Sequence, residues 1–180
     1  MSEAKASSRE PQVGNADHDL LDTLAGIDAT SPTGALRAQR ADIASFIQGS
    51  YDALLEPADE AGVSRVERGL IALREALLEE SVPLIAHYRA YLAQQDAPSD
   101  WIVAAESPEL GAPLSPRLVA LLGHVDRLTR EPDVATPAHL AELKAQGLTD
   151  TNLVTISQLI AFVSFQVRAI VGLQLLAEEK

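Results

Sequence analysis

The 180-residue chain contains no cysteine. That absence removes disulfide frameworks, thiolate zinc sites, iron–sulfur clusters and every cysteine nucleophile from consideration. Positive charge is also scarce: 14 Lys and Arg stand against 26 Asp and Glu, for a formal net charge of −12. Such a surface repels nucleic-acid phosphates and anionic membranes, so neither is an expected partner. No Gly-rich phosphate loop follows a strand pattern, no serine sits in a nucleophile elbow, and no two of His18, His87, His124 and His139 are four residues apart as in a helical zinc motif. No metal and no cofactor are expected. Met1 to Gly14 holds no apolar core of a signal peptide, which points to a cytoplasmic location.

What remains is an ordinary globular composition, 47% apolar and 22% charged, with enough chain for one core. Residues 1–16 read as a disordered tail and 17–180 as a single all-α domain, since no alternating β-branched run is bounded by hairpin turns. A short helix is expected after Asp17, covering His18 to Ala25. Ser31-Pro32 opens a second to about Leu55, and Ser64 with Glu67 has the spacing of a capping box for a third through Leu78. Ser81 and Pro83 mark a break before a helix from Leu84 to Gln94, and Gln95 to Pro113 reads as a loop. Ser115-Pro116 starts a helix to about Arg130, Thr136-Pro137 one ending at Gly147, and Thr149 caps a last helix to about Ala177. Within that last helix the stretch from Leu159 to Leu176 is long enough to raise a membrane question. Ser164, Gln166, Arg168 and Gln174 interrupt it, and a central arginine costs at least about 2.5 kcal/mol on insertion, so it reads as a buried helix. Its apolar residues occupy more than one stripe, which points to burial on most sides, partly inside a homo-oligomer.

Among residues that could carry chemistry, His87 stands out in the apolar start Leu84-Ile85-Ala86-His87-Tyr88, with Glu80 two turns back on the same face. A carboxylate there would orient or charge the imidazole for acid–base work. Arg168 needs a carboxylate, helix-end carbonyls or a polar pocket inside its apolar helix. Arg37 and Arg40 form at most a small solvated cationic patch. His124 and His139 read as solvated or locally hydrogen-bonded.

The order and spacing of several segments resemble the alkylhydroperoxidase D-like and carboxymuconolactone decarboxylase-like superfamily, especially its peroxidase-related branch. The segments are Tyr51-Asp52-Ala53-Leu54-Leu55, Val63-Ser64-Arg65-Val66-Glu67-Arg68, Leu84 to Tyr88, Leu114-Ser115-Pro116-Arg117, Leu128-Thr129-Arg130-Glu131-Pro132, Gly147-Leu148-Thr149-Asp150, and Gln158 to Arg168 with Gly172-Leu173. The resemblance implies an all-α fold assembled as dimers, trimers or hexamers. It also implies that an active peroxidase would carry a Cys-x-x-Cys pair at a helix start, a downstream histidine and an upstream relay glutamate. In one alignment frame the cysteine positions fall on Ser81 and Leu84 and the relay on Gly69, with Glu67 one helical step too early. In the other frame the cysteines fall on Glu80 and Pro83. Neither frame supplies the thiolate that attacks peroxide or the thiol that resolves the product. The expectation is a scaffold without thiol peroxidase activity, repurposed to bind a small ligand or a partner such as a paralogue. The alternative is a cysteine-independent lyase or hydrolase-like enzyme acting on a small organic acid or lactone. His87 with Glu80 or Glu67 would then do the acid–base work and Arg168 would hold the substrate carboxylate.

Overall fold

Serine stands at the N-cap of four helices, and in three of them its side chain makes the capping bond the sequence leads one to expect. Ser31 accepts from the Gly34 N–H at 3.0 Å, Ser64 from Glu67 at 3.2 Å and Ser115 from Leu118 at 3.2 Å, while Ser81 holds the same position without a side-chain capping bond. The computed structural model describes residues 19–178. The helices are α1 (Leu20–Ala25), α2 (Pro32–Ala38), α3 (Ala41–Leu55), α4 (Arg65–Leu78), α5 (Val82–Gln94), α6 (Ser99–Glu106), α7 (Pro116–Arg130), α8 (Pro137–Ala145) and α9 (Asp150–Glu178), with a 3-10 turn at Pro132–Val134. No strand occurs among the described residues. The expected tail, Asp17 and His18 lie outside them.

Three local expectations are corrected. Asp19, not Asp17, caps the first helix, accepting from Asp22 N–H at 2.7 Å. The single helix expected from Pro32 to Leu55 is two, because Arg40 leaves helical geometry at φ −126°, ψ 48°. Arg37 ties the first piece to α1 through Asp19 and Asp22, and Gly34 lies so close to the Asp28 and Ala29 carbonyls that a side chain there would collide with them. The expected loop from Gln95 to Pro113 contains α6, whose Ala104 and Ala105 are buried while the Pro98 and Ser99 turn signals mark its start rather than its absence.

The most enclosed helix is α4. Residues Arg68 to Ala76 are buried around its whole circumference by α5, α7, α9, α6 and α3. Its buried charges are satisfied: Arg68 donates to the carbonyls of Val63, Leu54 and Glu60, and Arg74 pairs with Asp126. By contrast α9 is covered on one side only. Leu153, Ile156, Leu159, Ile160, Val163, Val167 and Ile170 enter the core, and Val154, Phe165, Val171, Leu175 and Leu176 remain exposed. It is long and apolar enough to cross a membrane, yet it serves here as a core helix.

Candidate functional site

Of the residues nominated from sequence, Ser81, Leu84 and His87 lie along the first two turns of α5. Ser81 is buried at its N-cap and Leu84 fully buried one turn on, so both side chains face the interior. Gly69 lies against α5. A Cβ there would stand 2.7 Å from Leu92 Cδ2 and 2.9 Å from the Tyr91 ring, so no side chain fits without moving that helix.

His87 is half-buried, one turn beyond Leu84. Its Nε2 is hydrogen-bonded to the Tyr51 hydroxyl at 3.0 Å, and its ring meets Tyr88 edge-on with centroids 5.0 Å apart. Burial pushes the imidazole below its ordinary pKa, so the neutral form is favoured. The same burial raises Tyr51 to about 12, with Glu56 and Asp52 adding to the effect. Neither expected carboxylate joins this histidine among the described residues. Glu80 is exposed at φ 55°, in the left-handed region beyond the end of α4. Glu67 completes the capping box, receiving the Ser64 N–H at 2.8 Å, and takes Arg117 Nε at 2.6 Å. Sequence spacing missed Tyr51 because the two partners are 36 residues apart.

From Tyr88 a buried polar path runs on. Its hydroxyl donates to Gln166 Oε1 on α9 at 2.5 Å, and Gln166 Nε2 is buried without a partner. A second polar cluster joins α4, α7 and α9. Glu75, 1% exposed, is hydrogen-bonded to the Thr129 hydroxyl, which also donates to the Val125 carbonyl at 2.8 Å. Burial raises the Glu75 carboxyl to about 7 against the opposing Thr129 bond, with Glu79 adding and Ser164 and Arg168 subtracting. Ser164 donates to Glu79 at 3.2 Å and receives Arg168 Nη1 at 2.7 Å. Arg168 has the carboxylate partner expected of it, Glu79 at 4.0 Å, and donates to the Ser164 carbonyl at 2.8 Å, but it is 69% exposed rather than buried in the apolar helix packing. The legible signal for Glu75 was a carboxylate inside Leu70-Ile71-Ala72-Leu73-Arg74-Glu75-Ala76-Leu77-Leu78.

The remaining nominated residues behave differently from one another. His139 accepts the Thr136 N–H at 3.2 Å and is locally bonded as expected. His124 is neither solvated nor bonded: it is 3% exposed and both ring nitrogens are buried without partners. Arg40 pairs with Asp42 at 3.1 Å on the surface. An open cavity of about 260 Å³ lies away from His87, along α7 and the 3-10 turn, lined by Gly123, Asp126, Arg127, Arg130, Glu131 and Val134. Among the described residues no cluster of three or more metal-ligating side chains is present.

This arrangement of helices is found in solved structures. An uncharacterized peroxidase-related protein from Silicibacter sp. TM1040 superimposes with TM-score 0.67 at 18% identity, covering 77% of this chain and 72% of that one. A second, the alkylhydroperoxidase AhpD core of an uncharacterized peroxidase-related protein from Ralstonia eutropha JMP134, gives TM-score 0.64 at 20% identity, covering 82% of this chain and 77% of that one. The chain has the alkylhydroperoxidase D-like fold. No protein-family model matches the sequence, and no curated protein matches it. At these identities the likeness concerns the fold, and the cysteine-free α5 start must be read on its own chemistry.

Proposed function

We propose that this alkylhydroperoxidase D-like chain is a cytoplasmic, self-associating scaffold without thiol peroxidase activity, built to bind a partner or small ligand rather than to turn over peroxide. What supports this reading is the absence of cysteine from the chain: whether the resemblance sets the redox pair at Ser81 and Leu84 or at Glu80 and Pro83, no thiol stands at the α5 start. A serine hydroxyl does not pass through the sulfenic acid and disulfide states of that cycle, and leucine offers no resolving group. The acid–base alternative is less well supported. His87 is joined to a phenol whose own pKa is raised, and a neutral imidazole without a carboxylate lacks the partner expected of an activated base. The exposed apolar residues of α9 favour association, and a homo-oligomer is the assembly we expect, with a paralogue as the competing partner.

The test is direct. The purified protein is incubated with an alkyl hydroperoxide and a dithiol reductant, beside a His87→Ala variant. Equal background consumption is expected, and a wild-type rate clearly above the variant's overturns the reading. Native mass spectrometry of the protein alone, and co-expressed with a paralogue, reads the assembly. Homomeric species are expected of the protein alone, and only monomer would overturn self-association; only homomeric species on co-expression would count against the paralogue as partner.

A further inference from the structure

The exposed side of α9 has a regular spacing. Val154, Gln158, Ala161, Phe165, Arg168, Gly172 and Leu175 follow one another at alternating steps of four and three, and all are exposed. Such steps keep a stripe on one side of a helix, the spacing by which two helices pack along their length. Val154, Phe165 and Leu175 are 58%, 43% and 60% exposed, so the stripe presents large apolar groups at both ends and in the middle.

The order of residues in the stripe identifies its occupant. Reversed about Phe165, Val154 falls opposite Leu175, Gln158 opposite Gly172 and Ala161 opposite Arg168. Each long polar side chain therefore meets a small one, apolar ends meet apolar ends, and Phe165 meets its own copy. Same-direction pairing does the reverse. It sets Arg168 against Arg168, Gln158 against Gln158, and leaves two Gly172 facing each other across a void. In the reversed pairing the two Arg168 charges are separated along the axis by six residues, about 9 Å, and each guanidinium stays beside its own Ser164 and Glu79. A stripe that complements itself only on reversal fits a second copy of this chain across a two-fold axis, where the same patch serves both subunits.

We propose that α9 pairs antiparallel with α9 of a second copy about a two-fold axis beside Phe165. The proposal rests on the self-association reading above and adds the surface and its direction. A two-fold contact suits a dimer or a hexamer of three dimers and does not by itself close a ring of three. The pairing covers the stripe of α9 that its own subunit leaves exposed, and it puts the outer, Arg168 end of the α4–α7–α9 polar cluster at the subunit boundary.

The lack of native cysteine makes the test clean. Val154→Cys and Leu175→Cys are prepared separately, each carrying the chain's only thiol, and treated with a short bismaleimide alone or after mixing and subunit exchange. Neither is expected to cross-link with itself, since the two like positions lie about 30 Å apart along the paired helices. The mixture is expected to give a covalent dimer, and Phe165→Asp to be monomeric by light scattering with an unchanged helical circular dichroism spectrum. Self-cross-linking of Val154→Cys would overturn the direction. A wild type that is oligomeric while the mixture fails to cross-link and Phe165→Asp stays oligomeric would overturn the surface, leaving self-association intact. A monomeric wild type at all concentrations would remove both.

Discussion

Arg74 on α4 and Asp126 on α7 are joined by two parallel hydrogen bonds, Nε to Oδ1 at 2.6 Å and Nη2 to Oδ2 at 2.7 Å. The third guanidinium nitrogen, Nη1, donates to the carbonyls of Ala105 at 2.9 Å and Ser107 at 2.6 Å. One side chain, 3% exposed, thus fastens α7 and the end of α6 to the most enclosed helix. Truncating it leaves a carboxylate and two carbonyls without their donor. Arg74→Ala is expected to cost about 3 kcal/mol in urea denaturation. Arg74→Lys, which keeps the charge and loses the fork, should fall between the two. A loss below about 1 kcal/mol for the alanine variant would mean that water replaces the guanidinium at no net cost.

Gly69→Ala tests the packing of α4 on α5. The added methyl would meet Leu92 and Tyr91 inside normal contact distance. Overpacking of this kind costs about 1 to 3 kcal/mol, whereas in an open helix the same change would be stabilising by up to about 1 kcal/mol. The sign of the change in the denaturation midpoint therefore decides whether α5 can move away from α4.

Much of this fold was legible because its punctuation is local. Ser31-Pro32, Ser64 with Glu67, and Ser115-Pro116 mark helix starts by side-chain chemistry that needs no tertiary partner. The enclosure of α4 was not legible. Arg68, Arg74 and Glu75 make it look half-solvated, and their partners lie in other elements. In α9 the apolar content suggested burial on most sides, partly inside a homo-oligomer, and the single subunit covers one side. His87 drew notice for a carboxylate on its own helical face, and the bond it makes is to Tyr51 on α3, which no local spacing encodes. The α5 start was legible because it depends on residue identity: a chain without cysteine cannot form that redox pair in any conformation.

Tyr88→Phe removes the hydroxyl that donates to Gln166 Oε1. Gln166 is fully buried and its Nε2 is already without a partner, so the variant leaves the whole amide unsatisfied. A loss of about 1 to 3 kcal/mol is expected, with local hydrogen exchange rising around the middle of α9. Tyr88→Phe combined with Gln166→Leu should recover much of it, because both polar groups are then gone. A double variant no more stable than the single would show that the loss comes from packing and not from the amide.

Two buried groups give stability opposite dependences on pH. Burial lowers the His124 imidazole, with Arg127 and His139 adding to the effect, so the unfolded chain takes up that proton more readily than the folded one. Stability from this residue is full above about pH 6.5 and is lost as pH falls from there toward the folded value. Glu75 acts in the other sense. Its folded carboxyl, raised mainly by burial to about 7, holds a proton that the unfolded chain has released. Stability from Glu75 is full below about pH 4.3 and is lost as pH rises through 7. The urea midpoint should therefore change weakly between pH 7.5 and 5 in the wild type. His124→Phe should become more stable on acidification across that range, and Glu75→Gln should become less stable across it. Parallel profiles for all three proteins would place the relevant protons on other groups.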